Sequence, residues 1–380
     1  MSIDTYPRPQ LQAAVVTALR EFASFPVLQK HLAHIRYSSQ VHLLAIGKSA
    51  YPMAKAAVEE LTTRNLPCEG YLLTKYGHAP SALPGITMLE AGHPVPDANS
   101  FRHTAGILSW LETLPATDDL IILLSGGGSS LFELPARGHS PEEICALNQR
   151  LLLGGQDITA MNFERSKLSA VKSGKALAHI PCRRISVFAL SDVYGNNPQV
   201  IASGPFTPAD PADQRVSYEI IGDNLALLQT LVPHLPVPCH LHPDYIHVSA
   251  AEAAGFLSGF ALLTPTPGIH LWGGEAPVQV TQPGKGGRCT HLALDFALRI
   301  AGNRHLSLLT YASDGNDNVE GVAGAWVDGG TCDRMRTRGI DPESSLRNCD
   351  SLPALQAVGA IIPSIEARIN VNDIYLLGIS

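Results

Sequence analysis

The chain has 380 residues, 45% of them hydrophobic and 16% charged, with a formal net charge of −7. That is enough apolar material for a large core and for two domains. The 27 basic residues are scattered, with no block that would track a phosphodiester backbone, so nucleic acid is not an expected partner. The seven cysteines are odd in number, widely spaced and form no C-x-x-C pair, which argues for reduced thiols in the cytoplasm and against zinc or a disulfide framework. The opening residues carry Asp4 and Arg8 where a leader would have a charged segment followed by an apolar run. No uninterrupted run of about 18 apolar residues occurs, so no membrane span is expected.

Short β-rich runs alternate with helix-length amphipathic segments. A strand is predicted over 41–47, a helix over 49–63, strands over 70–75 and 86–91, a helix over 101–114, and strands over 119–125 and 184–192. This order predicts an α/β domain with a largely parallel, doubly wound sheet. The near-continuous apolar runs at 119–125 and 184–192 suit central strands covered on both faces. Residues 194–213 are too rich in Gly, Asn and Pro for one regular element and read as a functional loop or hinge. A second α/β passage follows, with a helix over 249–263, strands over 268–274 and 277–281, a helix over 290–302 and a strand over 305–314. The Pro-rich 233–240 marks the boundary, giving domains 1–240 and 241–380.

The run 124-LSGGGSSL-131 follows a strand directly. Gly126, Gly127 and Gly128 let the backbone approach a ligand, and Ser129 and Ser130 either cap the next helix or bond an anion; a plain tight turn with an N-cap is the competing explanation. A dinucleotide fingerprint fails because Leu131 stands where its third glycine belongs, and no G-x-x-x-x-G-K-[ST] occurs. Lys48, at a strand-to-helix junction, is placed to meet a carboxylate or phosphate, although a helix dipole disfavours a cation there. Acidic residues recur at apparent strand ends: Asp192, Glu275, Asp314, Asp317 and Asp373. Several facing one cleft would suit magnesium and phosphate oxygens, and one could accept a hydroxyl proton. The glycine-rich 284–287 carries Lys285 and Gly287 ahead of Arg288, a candidate bidentate clamp on an anion or else a surface arginine. His93 has no second ligand at metal spacing and reads as a site-lining or loop histidine.

Taken together, 46-IGKSA-50, 91-AGHPVPDANS-100, 124-LSGGGSSL-131, 165-RSKLSAVKSGKALA-178, 191-SDVYGNNPQVIASGP-205, 273-GGEAPVQV-280, 284-GKGGRCTHLALDFAL-298, 313-SDGNDN-318 and 370-NVND-373 resemble the glycerate 2-kinase family in order and spacing over nearly the whole chain. That family also carries the name hydroxypyruvate reductase. The resemblance implies an ATP- and Mg2+-dependent kinase acting on the 2-hydroxyl of D-glycerate or a close hydroxy acid. It also implies a large Rossmann-like N-terminal domain, a smaller α/β C-terminal domain and an active site in the cleft between them. Lys48 and Arg288 match residues regarded as essential there. On this basis Lys48, Arg288 and Asp192 are the expected catalytic residues; Ser125, Gly126, Gly127, Gly128, Ser129, Ser130, Lys285 and Gly287 hold substrate or phosphate; and Glu275, Asp314 and Asp373 supply metal ligands. Lys48→Ala and Arg288→Ala are each expected to remove turnover and leave the fold intact. A homodimer is compatible with the resemblance.

The chain departs from the family pattern at Asn196 and Asn197, where aspartate is usual, at Cys289 and Thr290, where Asn-Gln or a similar pair is usual, and over 317–320 and 364–369. These positions fall where nucleotide or metal would be held. A nicotinamide-dependent hydroxypyruvate reductase and a kinase-like protein with altered substrate or lost activity are the competing expectations.

Overall fold

A computed structural model describes residues 7–37, 40–153, 158–210, 212–264, 266–365 and 367–380, so Asp4 and, within 364–369, Glu366 lie outside it. The chain divides into two compact units, Ala23–Asp223 and a second formed by the N-terminal segment through Phe22 with Asn224–Ser380. The division falls before the Pro-rich 233–240, and α1 (Arg8–Phe22) belongs with the second unit. Two contacts explain why. Arg8 donates to the carbonyls of Gly359 and Ile361, and Glu21 meets His234 at 2.8 Å. Between them α1 buries Leu11, Ala14, Val15, Ala18 and Leu19, one apolar stripe at helical spacing. By length and composition the segment Arg8–His34 is apolar enough to cross a membrane. It is broken by Phe25, at φ 52°, and by Pro26, which opens α2 (Pro26–His34).

The Ala23–Asp223 unit contains β1 (Val41–Ile46), α3 (Ala50–Thr63), β2 (Cys68–Lys75), β3 (Ile86–Ala91), α4 (Ala98–Glu112), β4 (Asp119–Leu124), the one-turn α5 (Gly128–Leu131), α6 (Pro141–Leu153), α7 (Ile158–Leu168), β5 (Arg184–Leu190) and β6 (Val216–Gly222). Its six strands run in the order β3-β2-β1-β4-β5-β6, every pairing parallel. Both β1 and β4 are buried along their whole length, which is why their sequences are apolar at every position but His42 and Asp119. Leu44, Ile46, Ile122, Leu124 and Val187 share one core cluster on one face of the sheet. Strand order reverses between β1 and β4, and their last residues, Ile46 and Leu124, are paired. The loops after these two strands therefore leave the sheet side by side, at the place where open α/β sheets bind ligands. Residues 194–213 hold two short 3-10 turns, with Gly195, Asn196, Ala202, Ser203 and Gly204 all at positive φ.

The second unit adds α8 (Asn224–Leu231), β7 (Cys239–Leu241), α9 (Ala250–Leu263), β8 (Gly268–Gly274), α10 (Arg288–Arg299), β9 (Leu306–Ala312), β10 (Val322–Asp328), α11 (Thr331–Thr337), α12 (Pro342–Arg347), α13 (Ser351–Ala357), β11 (Ile361–Pro363) and β12 (Asp373–Ile379). Its sheet order is β11-β10-β9-β12-β8-β7, and only the β7–β8 pairing is parallel among those described. The strand expected at 277–281 is irregular chain. Pro277, which begins that run, has no N–H for a ladder, so alternation alone did not make it a strand. Asp373, expected at a strand end, opens β12 instead. Because β12 runs antiparallel to β8 and β9, Asp373 pairs with Gly274 and with Ala312, so it still joins the ends from which Glu275 and Asp314 emerge.

Candidate active site

In the Ala23–Asp223 unit the loops after β1 and β4 are knitted together by their backbones. Lys48 N–H donates to the Gly126 carbonyl at 2.9 Å, Ser125 N–H to the Ile46 carbonyl at 2.9 Å, and Ser49 N–H to Ser125 Oγ at 3.1 Å. Gly47, at φ +123°, permits this approach: a Cβ there would stand 2.5 Å from the Ser125 carbonyl oxygen. Gly127, at φ +86°, is the N-cap of α5, and its missing side chain leaves space bordered by Lys48 and His93. A Cβ on Gly127 would lie 2.9 Å from Lys48 Cγ and 3.2 Å from His93 Nε2, and one on Gly126 would lie 1.9 Å from Asp192 Oδ2. Lys48, His93, Gly126, Gly127 and Asp192 thus surround one cradle lined by main chain.

The hydroxyls of the three serines are all engaged within the turn and its immediate neighbours. Ser125 Oγ accepts from Ser49 N–H, Ser130 Oγ donates to the Gly127 carbonyl at 3.2 Å, and Ser129 Oγ meets Ser203 Oγ at 2.7 Å. The hydroxyl of Ser49 is fully buried and finds no partner among the described residues. Burial first, and then the cations Lys48, Lys75 and His78, push the His93 imidazole down to about 3. It is therefore neutral at physiological pH and offers a hydrogen bond, not a charge. A glycine turn beside one ammonium and one neutral imidazole fits a small anion such as a carboxylate or phosphoryl group.

The two glycines should respond differently to a methyl group. Gly47→Ala meets backbone that cannot move and takes up left-handed strain, so it should cost about 3 kcal/mol. Gly126→Ala meets the tip of the Asp192 side chain, which can swing away, so it should lower turnover far more than melting temperature. Thermal melts and initial rates on the two variants check this; equal losses of stability would refute the geometry.

In the second unit Arg288 opens α10, and its guanidinium is held on two sides. Nε and Nη2 make a bidentate pair with Asp373 at 2.7 and 3.0 Å, while Nη1 reaches Glu275 Oε1 at 3.0 Å. Asp373 is fully buried and also accepts from Tyr375 Oη at 3.3 Å. Burial pushes its carboxyl up, and Arg288 pulls it back down. Asp314 faces this group and caps its own turn by accepting from Asn316 N–H at 3.0 Å. Arg288 takes up the space between Glu275 and Asp373, and among the described residues no group of three or more His, Cys, Asp or Glu side chains comes together as a metal site. Glu275 and Asp373 hold the guanidinium from two sides, and Asp314 emerges at the same end of the sheet.

Asp317 proves to be a helix cap. Its buried carboxylate accepts from Cys289 and Thr290 N–H, both at 2.8 Å, and so fixes the first turn of α10 and with it the base of the Arg288 side chain. Of these two departures Cys289 acts here through a backbone N–H that any residue supplies, whereas Thr290 adds its hydroxyl, which accepts from Ser351 Oγ at 3.0 Å. Gly287 N–H is taken by Thr290 Oγ1 at 2.9 Å, and Lys285 N–H by Asp350 Oδ1 at 2.9 Å. Lys285 is left with its exposed side chain as the group it could present to a ligand. At another departure, Asn196 Nδ2 donates to Asp223 Oδ2 at 2.5 Å, a bond that aspartate at 196 could not make while ionised. His93, read from the sequence as a site-lining or loop histidine, borders the Gly127 turn, whereas the capping role of Asp317 has no spacing signature and was not assigned to it from the sequence.

Comparison with known proteins bears on what these groups do. Residues 10–232 match a family described as a domain of unknown function, DUF4147, and residues 268–373 match the MOFRL family. The chain is 34% identical to a D-glycerate 2-kinase of Thermotoga maritima, over 89% of this chain and 90% of that protein. It is 32% identical to an Agrobacterium vitis protein named as a hydroxypyruvate reductase, over 87% of this chain and 86% of that one. The crystal structure of a glycerate kinase from Thermotoga maritima superposes with a TM-score of 0.86 at 30% identity, over 98% of this chain and 99% of that chain.

Proposed function

We propose, for a chain that belongs to the glycerate 2-kinase family, that it transfers the γ-phosphoryl group of ATP to the 2-hydroxyl of D-glycerate. The observation that carries this is the cradle where Lys48, His93 and Asp192 border the Gly126–Gly127 turn, at the point of strand-order reversal. Phosphoryl transfer asks for positioning and charge neutralisation more than for covalent chemistry, and the cradle supplies both.

Lys48 and the N–H groups of the turn bind the carboxylate of glycerate or the transferring phosphoryl group. Asp192 orients the 2-hydroxyl and takes its proton as the oxygen bonds to phosphorus and the bond to ADP breaks. Arg288 serves the same reaction by neutralising phosphate charge, held in orientation by Asp373. Mg2+ ordinarily binds through one or two carboxylates and the substrate's own phosphates, so a three-residue cage is not needed. Glu275, through the oxygen not bonded to Arg288, and Asp314 fit that demand, while Asp373 gives both of its oxygens to Arg288. When bound, the ion would supply charge neutralisation on the phosphate oxygens.

A reductase is the second possibility, favoured by the Agrobacterium vitis name and disfavoured by Leu131, which stands where the dinucleotide fingerprint needs glycine. Paired assays separate the two. ADP release with D-glycerate and Mg-ATP is the expected result, with 2-phosphoglycerate as product. NADPH oxidation by hydroxypyruvate without ADP release would replace the kinase with the reductase. We place the protein in the cytoplasm, a placement supported by its seven cysteines, all free thiols.

A further inference from the structure

Beneath the cradle lies an ammonium that the chemistry above does not use. Lys172 is 1% exposed and pairs with Glu133, itself 1% exposed, at 2.9 Å. Its other bonds go to one residue: Lys172 Nζ donates to the Ser129 carbonyl and, at 3.1 Å, to Ser129 Oγ. These three acceptors use up the three protons of the ammonium. Glu133 is fixed in turn, accepting from the Ser169 hydroxyl at 2.5 Å, and Ser169 Oγ receives Lys172 N–H at 3.2 Å.

The direction of the bonds follows from this. Because Ser129 Oγ accepts from an ammonium, its own proton points to Ser203 Oγ at 2.7 Å, and the Ser203 proton goes on to Asn162 Oδ1 at 2.9 Å. Ser203 sits at φ +64° next to Ala202 at φ +51°, a strained pair of residues in the 194–213 segment. The turn is thereby held through the carbonyl and the hydroxyl of Ser129. Burying a charge pair is costly in itself, so stability alone is a poor reason for its presence.

We infer that Lys172, with Ser203, is a positioning residue that holds the Gly126–Ser130 turn in its anion-binding shape through Ser129. This rests on the kinase reading for its kinetic test but not for its structural one. The double variant Lys172→Met/Glu133→Gln removes both charges at similar volume. In the full-length protein it should raise KM for glycerate or ATP more than it lowers kcat, with kcat/KM down roughly 100-fold. Amide hydrogen exchange should quicken about tenfold or more across 126–130 and stay unchanged in β1 and β4.

Wild-type KM and wild-type exchange at the turn would overturn the inference. So would faster exchange spread evenly through the unit, which is what a purely structural ion pair would give. Should the double variant not fold, Ser203→Ala removes the acceptor of the Ser129 proton and the donor to Asn162 while leaving the ion pair in place, and carries the same prediction at smaller amplitude; unchanged exchange at 126–130 would again refute it. If the wild-type protein releases no ADP, the kinase reading fails while the exchange comparison still decides the role of Lys172.

Discussion

Lys48→Ala should lower kcat by about 100- to 1000-fold, the usual consequence of removing one preorganised charge from a phosphoryl-transfer or oxyanion site. The fold should survive. The bond that stitches the two loops runs from the Lys48 backbone N–H to the Gly126 carbonyl, and alanine keeps it. Gly47, whose missing Cβ allows the loops to meet, is untouched. What disappears is a half-buried side chain whose Cγ borders Gly127 and His93. Steady-state rates beside a thermal melt test both halves: near-normal kcat would remove Lys48 from the mechanism, and a large fall in melting temperature would show that it is structural. Lys48→Arg should not restore activity, since a planar fork does not replace a compact ammonium in a space set by a glycine. Loss of the Lys48 charge should also raise the His93 pKa from its depressed value, but only in part, because burial is the larger cause. A proton NMR titration of His93 reads that shift.

The Rossmann-like half was legible in the sequence because its signals are local. Each of 41–46, 119–124 and 184–190 is mostly apolar, interrupted only by His42, by Asp119 and by Arg184 and Ser186, and a strand covered on both faces has few polar positions to blur the pattern. Lys48 and the Gly126–Gly128 run were visible as a cation and glycines at strand ends, and strand order brought them together. The second unit was less legible. Whether β12 runs parallel or antiparallel to its neighbours is decided by connections many residues away, so Asp373 looked like the end of a strand that it begins. The residues gathered at that end were visible as acids, yet nothing in their spacing shows that an arginine 85 positions away spends two of its nitrogens on one of them. Lys172 was hidden for a similar reason. Its surroundings, 165-RSKLSAVKSGKALA-178, carry part of the family resemblance but single out none of their lysines, and burial of one lysine among several is a property of packing. The N-terminal helix was hidden because its partner, α8, lies about 200 residues along the chain, a separation that no periodicity records.

Arg288→Ala should abolish turnover as well, but unlike Lys48→Ala it should also cost about 3–5 kcal/mol of stability. The reason is Asp373, which is fully buried and has its carboxylate satisfied by the bidentate guanidinium. With alanine at 288 that carboxylate keeps the Tyr375 hydroxyl at 3.3 Å but loses its counter-charge. Burial already raises the Asp373 pKa while Arg288 opposes the rise, so removing the arginine raises it further. A carboxyl whose folded pKa exceeds its unfolded value favours the folded state below the unfolded pKa, and that contribution is lost as pH climbs through the folded one. The stability deficit of Arg288→Ala relative to wild type should therefore be larger at pH 8 than at pH 5, and melts across that range would show it. Asp373→Asn in the Arg288→Ala background removes the unpaired charge. It should recover much of the stability and flatten the pH dependence without recovering activity. A deficit that is equal at both pH values, or that persists in the double variant, would mean that the guanidinium stabilises the unit by packing rather than by neutralising Asp373.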